Sequence, residues 1–356
     1  MDIQESTAHQ KKHLVEIDYL RCFAILAVIA IHTAAALTRV ENPANFFAVS
    51  IWQNISSFAV PLFICISGFV LYLSYNPKLK GNFYQKRFQR IIPPYLIFTV
   101  IFLIANIFKS YVVTGVFQLP SFGTIINAFL FATSNEHMWF FLIIIELYLL
   151  YPILSAIYSK LAEKNIDWIL LIAGFIIQIF WNTFSGNLAI FINGADIYLS
   201  NKIFLCMIFY FIFGMYLSKH YSFVCRVLSS ATAFALLIIG VILTAVLAFN
   251  SPSGSFYTVP AIAYCTSAIL LLFAVSRILV SVSQENIFVT IGLYSFGIYL
   301  IHPLVQGLFG YVIYPALTIT PETMMYYPAV FLTTTVLSAL AVHIIKKMPY
   351  NKYIIG

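Results

Sequence analysis

The chain reads as long apolar runs broken by short polar punctuation. No Asp, Glu, Lys or Arg occurs in residues 42–77, 168–195, 227–276, 286–321 or 323–345. Each stretch holds at least one run of about 20 apolar residues, enough for a helix to cross about 30 Å of hydrocarbon. Read against turn signals, the pattern predicts about ten spans. Their cores fall near 17–38, 50–75, 88–109, 138–159, 167–184, 199–218, 228–249, 258–280, 287–311 and 326–346. Turn signals lie between them: YNPK after the second span, FSGN after the fifth and NSPSGS after the seventh. The segment PSFGTIINAFLFAT (120–133) is apolar but short, which predicts a re-entrant or interfacial piece. The expected fold class is an all-α integral membrane protein with about ten transmembrane helices. Its polytopic domain covers 17–346, between a cytoplasmic segment 1–16 and a cytoplasmic tail 347–356.

Charge orients this array. Only 9% of the 356 residues are charged and 62% are hydrophobic, where a soluble domain carries about 25% charged residues. With the N-terminus inside, sixteen of the 19 Lys and Arg fall on the cytoplasmic side. Arg39, Lys109 and Lys202 fall outside. The positive-inside rule then places both termini and residues 76–87 in the cytoplasm, and 185–198 and 250–257 outside. The net charge of +7 is therefore topological, and no nucleic-acid partner is expected. Ala34-Ala35-Ala36 resembles a signal-peptide cleavage site. The region before the first span, however, is about 20 residues long and mixes acids with bases, so a retained helix is expected. Five scattered cysteines show neither metal spacing nor a paired framework; packing is expected for them, and no metal.

The informative residues are the ionisable ones inside the spans. Arg21 and His32 lie in one charge-free run, RCFAILAVIAIH. Eleven steps of 100° make three turns plus about 20°, so both side chains share a face, about 16 Å apart along the axis. Buried ionisable groups are costly in a membrane and usually face a polar interior. Counting helix rise, His32 lies roughly 8 Å below the outer end of its span. His302 in the ninth span falls at a similar height. Glu146 lies about two turns below the mouth of the fourth span, and His137 lies at that mouth, where an interfacial role is expected. Packing is the alternative for each of them. For His302, the following Pro303 frees backbone carbonyls that an imidazole can satisfy.

At the cytoplasmic ends, Arg87 and Arg90 are spaced i,i+3 on one helical face. Alone they read as topology signals. Beside Arg21 at similar depth, three guanidiniums suit a polyanion such as a nucleotide phosphate. Asp18, one turn before Arg21, can instead orient it. Of the many aromatics, Trp139 and Tyr299 are the ones placed to contact a sugar, with packing as their alternative.

In order along the chain, IDYLRCFAILAVIAIH, VPLFICISGFVLY, KRFQRIIPPY, HMWFFLIIIELYLLYP and YSFGIYLIHP resemble the landmarks of the acyltransferase 3 family of bacterial membrane acyltransferases. Singly these are loose; five in order, from residue 17 to about 305, are specific. The acidic position of the fourth-span motif comes later here, at Glu146, after Ile144 and Ile145. The resemblance implies acyl transfer, commonly acetyl from cytoplasmic acetyl-CoA, to a hydroxyl of a surface or lipid-linked carbohydrate. It implies residence in the bacterial cytoplasmic membrane. It also matches Arg21 and His32 to the family's functional Arg and His, and Arg87 and Arg90 to its Arg pair.

The expected mechanism docks acyl-CoA phosphates at Arg21, Arg87 and Arg90, with the pantetheine arm reaching toward His32. His32 then acts as general base or carries a transient acyl group, and Glu146 or His302 holds its tautomer. A transporter of polysaccharide or lipid-linked sugar is the alternative function, since buried His, Arg and Glu also suit proton coupling. The oligomeric state is not encoded in any pattern seen here.

Overall fold

A computed structural model describes residues 13–34, 50–74, 82–191, 202–250, 258–317 and 325–356. Three expected connections fall largely outside these residues, at 75–81, 192–201 and 251–257, together with Arg39, Lys78 and Lys80. Among the described residues nine helices are long and apolar enough to cross a membrane. In chain order the helices are α1 (Val15–Ala34), α2 (Ser50–Ser74, with a 3-10 turn at Ser56–Phe58), α3 (Phe83–Thr114), α4 (Phe122–Phe131) and α5 (Trp139–Glu163). They continue as α6 (Trp168–Phe191), α7 (Ile208–Lys219), α8 (Tyr221–Leu228), α9 (Ala231–Phe249) and α10 (Val259–Val282). The last are α11 (Ile287–Leu308), α12 (Tyr326–Lys346) and α13 (Asn351–Ile355).

The polar content of a helix tracks its place in the bundle. α1, which carries Glu16, Asp18, Arg21 and His32, is the most buried span and packs against α2, α10, α11 and α12. α9 has no charged residue and sits at the periphery against α10, with Leu236, Ile239, Ile242, Leu243 and Leu247 all exposed. Lipid solvates those side chains as well as protein would, whereas ionisable groups need a protein interior.

Two helix crossings are glycine-tight. A Cβ on Gly214 of α7 would sit 1.9 Å from the Cys65 carbonyl oxygen of α2, and one on Gly68 of α2 would sit 2.0 Å from that of Phe211. Small residues let backbones approach this closely in membranes. Gly214→Ala must force the two helices apart. Overpacking of this kind costs about 1–3 kcal/mol, so the detergent-solubilised variant should melt several degrees below wild type. An unchanged melting curve would mean that the crossing is looser than described. At the second crossing, a Cβ on Gly292 of α11 would lie 1.9 Å from the Asp18 carbonyl oxygen, which seats α11 directly on the first turn of α1.

The structure differs from the sequence reading at three places. The run 199–218, read as one span, is broken where described: a 3-10 turn at Phe204–Cys206 leads into the 12-residue α7. α6 continues to Phe191, through the FSGN expected as a turn. Residues 347–356, expected as a tail, fold back so that α13 packs against α3 and α12. The 120–133 segment does form a short helix, α4, largely exposed and tied to α3 by the Tyr95 hydroxyl donating to the Phe129 carbonyl at 2.8 Å.

The turn between α5 and α6 is pinned by Asp167, which accepts hydrogen bonds from Tyr158 (2.5 Å) and the His220 ring (2.6 Å). Burial alone would raise this carboxyl, but those hydrogen bonds outweigh it and hold Asp167 below the ordinary carboxylate range.

Candidate active site

The starts of α1, α3 and α11 meet at one end of the bundle, as alternating spans require. There Arg21, Arg87 and Arg90 line a single cavity of about 350 Å³. Its walls are apolar and aromatic, including Phe63, Phe140 and Phe296, with Ser67, Ser295 and Tyr148 adding hydroxyls. That is the composition of a small-molecule site, mostly apolar with a few placed polar groups. Arg21 and Arg87 are held differently. Arg21 donates to Asp18 Oδ1 at 3.0 Å, and Asp18 is wholly buried. His13 Nε2 lies 2.8 Å from the other Asp18 oxygen, within ion-pair range. The Arg87 guanidinium lies over the rings of Phe83 and Tyr148, 5.9 and 6.0 Å from their centroids. Gly356, beyond α13, forms part of the same wall.

The three histidines meet at the opposite end of these helices. Ring centroids lie 5.2 Å apart for His32 and His302, 5.3 Å for His137 and His302, and 6.2 Å for His32 and His137. His302 and His137 are buried, while His32 is half-buried. His302 Nδ1 donates to the carbonyls of Tyr299 (2.8 Å) and Ile298 (3.2 Å). The Tyr299 carbonyl is the one that Pro303, lacking an N–H, leaves free one turn back. His137 Nδ1 donates to Asn135 Oδ1 at 2.9 Å. Both acceptors are oxygens without protons, so each ring carries its proton on Nδ1 and presents a bare Nε2. Neither Nε2 has a hydrogen-bond partner among the described residues. Among the described residues, no three His, Cys, Asp or Glu side chains are arranged to hold a metal ion.

Tyr299 joins the two ends. It lines the arginine cavity, its ring lies 5.0 Å from His137 and 5.9 Å from His302, and its hydroxyl donates to the His137 carbonyl. Phe140 packs beside it at 5.3 Å. The cavity therefore ends at an aromatic partition with the histidines behind it.

The sequence places Arg21, Arg87 and Arg90 at similar depth, and His32 and His302 at one height; in the structure the arginines line one cavity and the two histidine rings lie 5.2 Å apart. Glu146 is elsewhere. Its Oε2 accepts the Phe204 N–H at 2.7 Å, closing the broken backbone before α7, and it borders neither the cavity nor a histidine ring. His137 was expected at the interface and is instead 2% exposed inside the cluster. Its estimated depth was the only signal for it, because lateral neighbours leave no trace in one chain. Trp139 packs on the apolar core and does not line the cavity.

The profile of the acyltransferase domain matches residues 14–343. The chain is 27% identical over 315 residues to a protein of Staphylococcus epidermidis named "Probable poly-beta-1,6-N-acetyl-D-glucosamine export protein", covering 85% of this chain and 84% of that one. A protein of the same name from Staphylococcus aureus strain MRSA252 is 25% identical over 313 residues, covering 85% of each chain. No solved structure matches. With nearly the whole chain inside the domain match, and with long apolar helices that suit a membrane, the protein belongs to the acyltransferase 3 family and is a multi-pass membrane acyltransferase.

Proposed function

We propose that the protein is an O-acyltransferase of the bacterial cytoplasmic membrane. It moves an acyl group, acetyl in the simplest case, from cytoplasmic acyl-CoA to a hydroxyl of a surface or lipid-linked carbohydrate. The observation that carries this reading is the cavity itself: three arginines at one end, and at the other an aromatic partition that touches the histidine cluster.

The arginines fit the donor's chemistry. Guanidiniums bind phosphate oxygens in a fork, and Asp18 holds that of Arg21 in place. The cavity suits the uncharged pantetheine arm, while the nucleotide stays toward the cytoplasm. For the thioester to reach His32, Tyr299 must rotate aside and release the His137 carbonyl. His32 then takes the proton of the acceptor hydroxyl, whose oxygen attacks the thioester carbon; the carbon–sulfur bond breaks and the thiolate takes the proton back from His32. An acyl-imidazole on His32 is the other route to the same products. The names of the relatives support a polysaccharide as the acceptor.

Those names also keep export as the second reading, in which the same cavity and histidines gate a sugar path. Mass spectrometry of surface glycans from cells with and without the gene separates the two. Acyl transfer predicts glycan that reaches the surface but lacks the acyl mass. Export predicts glycan missing from the surface and unchanged in composition where it remains.

A further inference from the structure

We propose that His137 and His302 are positioning residues for His32: their bare Nε2 atoms accept the hydrogen bond that His32 must make once it has taken the hydroxyl proton. The inference rests on the acyl-transfer reading above and adds a role that neither the family match nor the relatives assign.

The argument begins with what a protonated base needs. Neutral imidazole has one N–H; imidazolium has two. During transfer one of them faces the reacting oxygen and then the departing sulfur, so the second requires an acceptor. In a site screened from water an unpaired N–H is costly, and Ser-His-Asp sites meet that need with a carboxylate. Glu146 is occupied by the Phe204 N–H. The His32 cluster offers two nitrogens instead. His302 and His137 have their protons fixed on Nδ1 by oxygen acceptors, which leaves each Nε2 with a lone pair. Both atoms are buried and neither has a partner among the described residues. The two rings are centred 5.2 and 6.2 Å from that of His32. Collinear imidazoles sharing a proton have centroids about 5 Å apart on standard N–H···N geometry, so a small side-chain adjustment brings His32 and His302 into contact.

An unpartnered buried lone pair is a destabilising feature of a resting protein. Such groups persist where function uses them. Tyr299 helps hold the pair, because its carbonyl fixes the His302 tautomer and its hydroxyl bonds the His137 backbone. The charged group to be weighed against them is Glu136, exposed beside His137 and acting electrostatically on His32.

The test uses the purified full-length protein with acetyl-CoA as donor and a β-1,6-linked N-acetylglucosamine oligosaccharide as acceptor. His302→Leu and His137→Leu keep bulk and remove the acceptor atom. His302→Gln and His137→Gln put an amide oxygen near the place of Nε2. The expected result is a fall in kcat of about 10- to 100-fold for each Leu variant. KM for acetyl-CoA should not change, because the arginine cavity is untouched, and Gln should recover most of the loss. In a His32→Gln background the Leu changes should add nothing. Wild-type kcat in both Leu variants would overturn the proposal. So would equal losses in Leu and Gln variants with KM altered, which is the pattern of mere packing. A loss confined to Glu136→Gln would assign the acceptor role to that carboxylate instead. If the wild-type protein transfers no acetyl group, the acyl-transfer reading fails and this inference fails with it. Transfer abolished by His32→Gln but indifferent to residues 137 and 302 sinks the inference alone.

Discussion

Replacing His32 by glutamine is expected to lower acyl-transfer turnover by about 10²–10⁴ while leaving acyl-CoA binding close to wild type. Glutamine keeps a polar group of similar size but cannot take a proton near neutral pH. It therefore removes the base and preserves the packing against α11 that His32 shares with His302 and His137. The cavity proposed to take the donor lies on the far side of Tyr299, lined by Arg21, Arg87 and Arg90, with no histidine among the described residues of its wall. A change at His32 should thus act on kcat and spare the KM for acyl-CoA. If His32 instead forms an acyl-imidazole, quenching the wild-type reaction without acceptor should leave label on the protein. A correctly inserted glutamine variant with near-normal turnover would return His32 to a packing role.

Removing an arginine should have the opposite signature. Arg21→Ala and Arg90→Ala are each expected to weaken acyl-CoA binding by roughly 10- to 150-fold, the equivalent of one charge-assisted hydrogen bond of about 1.5–3 kcal/mol. Lysine at either place should restore only part of the loss, because a point charge cannot reproduce the fork. Arg21 carries a further cost. Its partner Asp18 is wholly buried, so Arg21→Ala leaves a buried carboxylate without its guanidinium. Asp18→Asn combined with Arg21→Ala should relieve that instability without restoring binding. Isothermal titration with acyl-CoA reads the affinity and a thermal melt reads the instability. Unchanged affinity in both single variants would leave these arginines as topology signals.

Much of this arrangement is legible from the chain because helix geometry converts sequence separation into height. The eleven steps from Arg21 to His32 fix both their spacing and their common face. The alternation of spans likewise sends His302 to the height of His32, and Arg87 and Arg90 to that of Arg21. Angles around the bundle axis are not encoded in the same way. By that reckoning His137 stands at the outer mouth of its span, and its contact with His302 depends on how the start of α5 and α11 sit side by side, which no spacing within either helix records.

Glu146 failed to reach the histidines for a related reason. A carboxylate in an apolar run looks alike whether it serves chemistry or caps a backbone break, and hydropathy cannot tell a continuous span from a broken one. The N–H that Glu146 caps lies 58 residues further on. The fold-back of α13 was hidden as well, since a five-residue helix after the last span carries little periodic signal.

In the proposed reaction one bundle takes an acyl group from a donor at its arginine face and delivers it to a hydroxyl at its histidine face. Sidedness tests it most directly. The protein is sealed into vesicles of uniform orientation with radiolabelled acetyl-CoA on one side and the oligosaccharide acceptor on the other. Labelled oligosaccharide is expected when acetyl-CoA is on the side of Arg21, Arg87 and Arg90. None is expected with the sides exchanged, and none for His32→Gln in either arrangement. Oligosaccharide that crosses the membrane without acquiring label would contradict the proposed reaction and establish export in its place.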